Sequence, residues 1–427
     1  MHYFRQYIII CLSVLFFPTC KKEYTVKENT NLFGGISGLG GGQSLNGVIE
    51  TADHNFILWG STYGNTHGMQ DGFVMKIDRK FNILWNKTYG GFRNDGLTSL
   101  AMDEEGNMLV TGYSESFGPS IDSNYSTQNS MFYLVYINKD GNEIWDTTFR
   151  APSNNINKLN YAYKTLYLPN KTFCVIGSTF NFTSQVGANT FLTNDAYLFG
   201  VDKQANFLWG GRYFNLGGLN NSFQESGADA VLSSDGNIIF QMSNVDYSYP
   251  NYFTKLIKIP FSGPATNTNS SIWKGQNLNC LGNPGIGFIS KVAMEHVKGD
   301  EVVLFDLNNG GLLFTDSVGN SRKFIKFDQP IYVFNITKYG SKLLVTGIVT
   351  NSIYQFSYQN IWLLYDLEGN LLEQHDLEYS NFMEHIDITK TILSENSEVL
   401  VFGTSLRSGG KDIIMLRFDL NGNLIKN

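Results

Sequence analysis

The sequence has few of the features by which motif-bearing enzymes and disulfide-rich proteins are recognised. Four cysteines among 427 residues are too few for a disulfide framework, and only nine prolines are present. The six histidines are scattered, without a His-x-His or His-Glu-x-x-His pair, so the sequence predicts no metal site. It also has no Gly-x-Ser-x-Gly nucleophile motif. If the chain has an active site, that site must be assembled from residues distant in sequence.

Charged residues are sparse as well. They make up only 16% of the chain, and the formal net charge is −7. A mildly acidic chain favours solubility and argues against nucleic acid as the main partner. The chain is rich instead in aromatic residues (14%) and in glycine (43 residues). Because aromatic residues favour strands and glycine favours turns, this composition indicates a β-sheet protein.

The N-terminus has one apolar run, and it is short. Residues 7–17 form an apolar run of 11 residues behind a cationic start, too short to span a bilayer and typical of a secretory signal. The sequence around Cys20 resembles the end of a bacterial lipoprotein signal. We therefore expect residues 1–19 to be a signal peptide, Cys20 to be lipidated and residues 20–28 to be a tether. The alternative is ordinary secretion with an uncut Cys20.

A unit of four strands returns seven times along the remaining sequence. The join between its third and fourth strands is clearest at residues 77–85, 137–145 and 201–209, where a polar turn is followed by a tryptophan. Repeats of about 40–60 residues with four strands each are typical of a β-propeller. We predict an all-β fold, a seven-bladed β-propeller of four-stranded antiparallel blades over residues 29–427. The strands of each blade are called a to d, from the axis outward.

Two residue types recur at fixed places in this unit. Glycine in strand b marks a close approach of another chain segment, and we expect tryptophan in strand d to pack between blades. In blades 4 and 5, Gln241 and Asp306 are aligned with the strand b glycines. The strand b glycines are Gly60, Gly112, Gly177, Gly347 and Gly403. The strand d tryptophans are Trp85, Trp145, Trp209 and Trp273.

Closure of the ring is also predicted. The turn at residues 419–423 should start an outer strand, but little sequence follows it, whereas residues 31–35 match the end of strand d at residues 87–91. We predict that residues 24–35 complete blade 7, because pairing the termini removes open sheet edges. Deleting residues 24–35 should then lower the melting temperature steeply.

Two glycine-containing motifs have alternative interpretations. The Asp-x-x-Gly-Asn segments, such as residues 366–370 and 419–423, could bind calcium, but their spacing favours hairpin turns capped by the aspartate. Residues 34–42 are rich in glycine, as phosphate-binding loops are, but no helix or lysine follows as phosphate binding would need. We interpret the first motif as a turn and the second as a flexible loop. Cys174, within an apolar strand, is interpreted as a core residue.

The b–c loops are predicted to be long and rich in aromatic and amide residues. Aromatic faces next to polar side chains suit a glycan or a peptide, although the loops could also be merely tolerant surface segments. The predicted loops are residues 63–71, 116–130, 180–195, 246–251 and 351–360. The candidate ligand-binding residues on this face are Tyr63, Arg93, Phe117, Tyr125, Phe182, Tyr247, Tyr249, Tyr354 and Tyr358.

The repeat resembles that of propeller lipoproteins from Bacteroidota. The resemblance rests on Trp-Gly-Ser-Thr at residues 59–62, Lys-Ile-Asp at 76–78 and Ile-Leu-Trp at 83–85. The Gly-Asn-x-x-Trp element is also similar to the repeats of quinoprotein-like propellers, which include cofactor-bearing dehydrogenases and a non-enzymatic outer-membrane assembly lipoprotein. The cofactor residues of those dehydrogenases have no match here, so we expect no cofactor.

These observations predict a non-enzymatic lipoprotein of the cell envelope. We expect it to be anchored in the outer membrane, on the periplasmic side or at the cell surface, and to bind a glycan, peptide or envelope protein on the b–c face. The alternative is a propeller hydrolase or lyase that acts on polysaccharide, with its residues gathered in the central channel. A channel with converging carboxylates would favour the enzyme, and a shallow aromatic face would favour the binder.

Overall fold

Seven four-stranded antiparallel sheets make up the computed structural model, which confirms the predicted seven-bladed β-propeller. The structure describes residues 34–36, 42–64, 66–117, 129–152, 159–186, 189–213, 223–246, 251–263, 271–276, 278, 293–306, 309–352, 355–377, 386–394, 398–407 and 410–425. No helix occurs among them, and so none could cross a membrane within this part of the chain.

Each blade uses four strands in the order a, b, c and d. Blades 1 to 3 consist of β2 (Gln43–Glu50), β3 (Phe56–Thr62), β4 (Asp71–Ile77) and β5 (Ile83–Tyr89); β6 (Asp95–Met102), β7 (Met108–Ser114), β8 (Met131–Ile137) and β9 (Glu143–Phe149); and β10 (Asn160–Tyr167), β11 (Phe173–Val186), β12 (Asn189–Val201) and β13 (Phe207–Tyr213).

Blades 4 to 7 follow the same order, except that strand d of blade 7 comes from the N-terminus. They consist of β14 (Phe223–Leu232), β15 (Ile238–Asp246), β16 (Asn251–Ile259) and β17 (Trp273–Lys274); β18 (Met294–Lys298), β19 (Glu301–Asp306), β20 (Gly311–Thr315) and β21 (Ser321–Lys326); β22 (Ile331–Tyr339), β23 (Lys342–Ser352), β24 (Gln355–Asp366) and β25 (Leu371–Leu377); and β26 (Ile386–Leu393), β27 (Val399–Arg407), β28 (Gly410–Phe418) and β1 (Gly34–Ile36).

The core lies between neighbouring blades. Every residue of β3 and β8 is buried, because strands b and c are covered on both faces by adjacent sheets. Strand d is the outer edge, and β5 and β9 therefore keep exposed residues. Cys174 is fully buried in strand b of blade 3, which confirms its interpretation as a core residue.

A bulge in strand a explains the strand b glycines. In blade 2 the pairing register shifts between Leu97 and Ser99, and a Cβ on Gly112 would lie 1.8 Å from the carbonyl oxygen of Gly96. The expected close approach is therefore confirmed, and it comes from the strand a backbone of the same blade. In blade 4 the same bulge faces Met242, so the alignment of Gln241 with the glycines was wrong by one residue.

The Asp-x-x-Gly-Asn segments are hairpin turns, as predicted. In the c–d turn of blade 6, Oδ1 of Asp366 accepts a hydrogen bond from the backbone amide of Asn370 at 2.7 Å, and Oδ2 accepts one from its side chain at 2.8 Å. All seven c–d turns place a residue with positive φ three positions after the first turn residue. These residues are Phe81, Gly141, Ala205, Gly263, Gly319, Gly369 and Gly422.

The strand d tryptophans pack between blades, as expected. Trp145 of blade 2 donates from Nε1 to the carbonyl of Lys203, in the c–d turn of blade 3, at 2.8 Å. Trp209 similarly lies against Gly263 in the turn of blade 4. Each tryptophan thus connects its blade to the turn of the next one. Ile325 takes this place in blade 5.

Strand d of blade 7 is β1, which pairs with β28. The register places Ile36 opposite Ile413, in the position that Tyr89 has in blade 1. The match of residues 31–35 with residues 87–91 is therefore shifted by three residues. The glycine-rich segment 34–42 is also partly strand and not only loop, whereas residues 24–33 lie outside the described residues.

Two of the predicted b–c loops are instead mostly β-structure. Strands β11 and β12 continue past the body of blade 3 and pair as far as Val186 and Asn189, so most of residues 180–195 forms a two-stranded hairpin. In blade 6, β23 and β24 likewise pair as far as Ser352 and Gln355. The prediction of loops there was wrong, because periodicity does not separate a polar hairpin from a long loop.

Candidate functional site

The propeller has two faces of different construction. We call the side with the a–b and c–d turns the turn face, and the side with the b–c and d–a connections the loop face. Phe92, Tyr63 and Met69 are the most exposed large apolar side chains of the described residues, at 67%, 63% and 55%. All three lie on the loop face at the junction of blades 1 and 2. With His67 they define the loop-face patch.

Close backbone contact joins the two segments that form the patch. A Cβ on Gly68, in the b–c connection of blade 1, would lie only 2.5 Å from Cα of Phe92, in the d–a connection. Only glycine permits this approach. The amide of Asp95 donates to the carbonyl of Gln70 at 2.7 Å and secures the same contact. Met69 and Phe92 are therefore carried side by side on fixed backbone.

A buried carboxylate fixes His67. Oδ2 of Asp71 accepts hydrogen bonds from the backbone amide and from Nδ1 of His67, both at 2.8 Å. The Asp71 side chain is fully buried, whereas that of His67 is 59% exposed. Since a carboxylate only accepts, Nδ1 carries a proton, and Nε2 is the ring nitrogen that remains for a ligand.

A second buried carboxylate supports the other segment. Oδ2 of Asp95 accepts hydrogen bonds from the backbone amide of Gly91 at 2.7 Å and from the hydroxyl of Ser116 at 2.6 Å. Burial raises the pKa of the Asp95 carboxyl, although these hydrogen bonds oppose the shift. A Cβ on Gly90 would contact both Asp71 Oδ1 and Asp95 Oδ2, so both carboxyl groups lie close to this glycine.

The equivalent position in blade 3 is arranged differently. Asp195 begins the body of strand c there, as Asp71 does in blade 1, and it is bonded to Arg212 of strand d. Thr88 occupies the arginine position in blade 1. The arginine pairs internally with its aspartate in blade 3, whereas the aspartate of blade 1 holds an exposed histidine.

Three of the predicted site residues lie on or beside this junction. Tyr63 belongs to the patch. Arg93 is next to Phe92, and its backbone amide donates to Ser116 at 2.9 Å. Phe117 is mostly covered, with its ring centroid 5.5 Å from that of Tyr133, so it supports the loop more than it offers a surface.

The other predicted residues cannot be placed at the patch. Tyr125, Tyr247, Tyr249 and Tyr354 lie outside the described residues. Phe182 and Tyr358 belong to strands β11 and β24, where the backbone alone is described. Their assignment to a binding face stays a prediction. Cys20 also lies outside the described residues.

Sequence reasoning missed His67, Met69 and Phe92. His67 was one of six scattered histidines, and its partner Asp71 is a strand residue without a motif. Two signals were present in retrospect: the His-x-x-x-Asp spacing before strand c, and the aromatic residue directly after Gly90-Gly91. Neither is specific without knowledge of which loops meet.

The central channel is lined by hydrogen bonds between successive blades. The bulged residue of strand a donates to a strand a carbonyl of the next blade in three places, which ties the inner strands into a ring. The pairs are Asn46 with Leu97 at 2.7 Å, Thr98 with Ala162 at 2.7 Å, and Thr389 with Leu45 at 3.1 Å.

Two lysines of the inner strands are bonded to neighbouring side chains. Nζ of Lys164 lies 2.9 Å from Asp229, and Nζ of Lys390 donates to Asn335 at 2.9 Å. Burial lowers the pKa of Lys164, but the charge of Asp229 outweighs burial and raises it overall. Among the described residues, no group of three or more His, Cys, Asp or Glu side chains is arranged to hold a metal ion.

Comparison with known proteins supports the fold and leaves the activity open. No family model and no curated protein matches the chain. Raptor from Chaetomium thermophilum is 12% identical with a TM-score of 0.50, over 93% of this chain and 30% of that one. A streptogramin B lyase is 12% identical (TM-score 0.46, 92% and 97% covered). A protein of unknown function from Bacteroides caccae is 10% identical (0.38, 91% and 93%). The likeness to Raptor is one of fold alone and agrees with the β-propeller described above.

Proposed function

We propose that this protein is a non-enzymatic binding protein of the cell envelope, which takes a glycan, peptide or protein partner on its loop face. The observation that carries the proposal is that the three most exposed large apolar side chains of the described residues lie on two connections in close backbone contact. Exposed aromatic residues on preorganised backbone favour binding, because little conformational entropy is lost on association.

We further propose that a lipid on Cys20 anchors the protein in the outer membrane, as the sequence around Cys20 predicts. Strand β1 runs antiparallel to β28, so the chain reaches Gly34 from the turn face. A lipid on Cys20 would therefore be joined to the chain on the N-terminal side of β1. Incorporation of labelled palmitate into the protein in a Gram-negative host, lost in Cys20→Ala, tests the anchor.

The binding proposal is tested by presenting two sets of probes, neutral oligosaccharides and displayed random peptides, to the protein and to the double variant Tyr63→Ala/Phe92→Ala. We expect at least one set to yield a ligand whose binding is lost in the double variant. Leu84→Ala/Leu208→Ala, at exposed strand d positions, is the matched control. A ligand bound equally by all three proteins would place the binding site elsewhere.

A polysaccharide hydrolase or lyase is the second candidate, because His67 is oriented by the buried Asp71 in a way that would suit a general base. Incubation with polysaccharides distinguishes the two. New reducing ends or unsaturated products, lost in His67→Ala, would establish the enzyme, whereas binding without products supports the binding protein.

A further inference from the structure

We infer that the loop-face patch binds a neutral oligosaccharide, with the rings of Tyr63 and Phe92 as stacking surfaces and His67 as the hydrogen-bonding group. This inference rests on the proposed binding function and narrows its partner to one chemical class. Three observations carry it. Four backbone amides around the patch already donate within the protein, Nε2 of His67 remains for a ligand, and the carboxyl groups of Asp71 and Asp95 lie beneath the patch.

Backbone donors around the patch are turned inward. The amides of Tyr63, His67, Gly91 and Arg93 donate respectively to a carbonyl, to two buried carboxylates and to a hydroxyl. Peptides that bind as an added β-strand rely on main-chain hydrogen bonds, and these four backbone donors already have acceptors within the protein. At these four positions, recognition is therefore left to side chains, which disfavours a peptide that pairs along this backbone.

The side chains that remain suit a sugar ring. Tyr63 and Phe92 offer flat apolar faces with few rotatable bonds, and the C–H face of a pyranose can lie against such a ring. Between them in sequence, His67 presents Nε2, which accepts a hydrogen bond in the neutral ring and donates one in the charged ring. A sugar hydroxyl can do both, so it matches either state of the histidine.

Charge beneath the patch selects a neutral sugar. The carboxyl groups of Asp71 and Asp95 lie directly under the two connections, and Asp71 is bonded to His67 itself. A uronic acid or sulfate placed on a neutral His67 would lie close to the Asp71 carboxylate bonded to that ring, and this repulsion disfavours an acidic sugar. Neutral hexoses and pentoses carry no such cost.

Native affinity electrophoresis tests the inference. The full chain is run in gels that contain xyloglucan, galactomannan, dextran or starch, beside gels that contain polygalacturonate. We expect retardation by at least one neutral polysaccharide and not by polygalacturonate. Tyr63→Ala and Phe92→Ala should each weaken binding about 10-fold, the affinity that one aromatic contact typically contributes. His67→Phe, which keeps a ring but removes Nε2, should also weaken binding, and Leu208→Ala should not.

Three results would overturn the inference: retardation by polygalacturonate alone, retardation that survives both Tyr63→Ala and Phe92→Ala, or absence of retardation in every neutral gel. The peptide set then separates its failure from that of the proposed function. A peptide bound at the patch and lost in Phe92→Ala would refute the sugar and leave a binding protein. Thermal melts equal to that of the wild type show that each variant is folded.

Discussion

On the turn face of this propeller, every blade has a c–d turn of the same form, whereas on the described part of the loop face blades 1 and 3 differ. Each c–d turn has a residue with positive φ in the same place, and six of the seven begin with Asp or Asn. On the loop face, equivalent positions carry Asp71 with an exposed histidine in blade 1 and Asp195 with an arginine in blade 3.

This difference distinguishes contacts that stabilise the propeller from contacts that could form a specific binding site. A repeated contact, such as a strand d tryptophan against the next turn, contributes to the closure of the ring. A contact found in one blade only among the described residues, such as Gly68 against Phe92, is a better candidate for a specific site. Substitutions on the turn face should therefore change stability, and substitutions on the patch should change binding alone.

The largest effect is expected from Trp145→Ala. The indole connects blade 2 to the c–d turn of blade 3, and its removal deletes both packing and the hydrogen bond to Lys203. We expect the free energy of unfolding to fall by about 3 kcal/mol in denaturant titrations. Trp145→Phe, which keeps a ring, should cost about 1 kcal/mol for the lost bond. Equal costs for the two variants would mean that packing does not matter there.

Gly112→Ala should follow in size. The new Cβ would meet the carbonyl of Gly96 at 1.8 Å, so the strand a bulge must move. We expect a loss of about 2 kcal/mol, as for overpacking elsewhere. Gly42→Ala is the matched control, because a Cβ there meets nothing within 4 Å. A neutral Gly112→Ala would show that the bulge does not require glycine.

A smaller effect is expected from Asp202→Ala in the c–d turn of blade 3, the turn that Trp145 contacts. Oδ1 of Asp202 accepts from the amides of Gln204 and Asn206, and we expect a loss of about 1 kcal/mol at pH 7, as for other side-chain caps. Burial raises the pKa of Asp202, but the Asn206 bonds outweigh it and lower the pKa. Asn138 occupies this place in blade 2, so Asp202→Asn should be milder.

The lowered pKa fixes the pH dependence of that effect. A carboxylate stabilised in the folded state contributes its full stability above its unfolded pKa of about 3.9, and the contribution is lost as pH falls through the lower folded pKa. The difference between wild type and Asp202→Ala should therefore shrink on acidification below about pH 4. A difference that grows toward low pH would contradict this account.

The smallest change should be stabilising. Ala205 has φ of 65°, a conformation that costs L-residues about 1 kcal/mol and glycine almost nothing. We expect Ala205→Gly to raise the free energy of unfolding by about 0.5–1 kcal/mol, in the same denaturant assay. Lys203→Gly, two positions earlier in the turn, should not stabilise, because it also removes the ion pair with Asp103.

The features that repeat from blade to blade could be predicted from the sequence, whereas the features of a single blade could not. Seven copies of one strand pattern supplied the blade count, and the tryptophan and glycine positions supplied their packing roles, because each signal was averaged over several copies. The closing strand shows the limit. It has only one copy, and its alignment was shifted by three residues.

The candidate site illustrates the same limit. Tyr63 could be found from the aromatic content of one connection, but His67 gains meaning only because Asp71 is buried beneath it. Phe92 becomes a neighbour of Met69 only through Gly68, by a contact between two connections separated by a whole hairpin. Such juxtapositions leave no periodic trace in one sequence.

The central claim, that a rigid patch on the loop face binds a partner independently of the framework, is tested most directly by Phe92→Ala beside Leu208→Ala. Both side chains are apolar and exposed, one on the patch and one on strand d. In native gels that contain the retarding neutral polysaccharide, we predict that Phe92→Ala loses most of its retardation while Leu208→Ala migrates with the wild type, and that both melt at the wild-type temperature. Equal retardation of the two variants would contradict the claim.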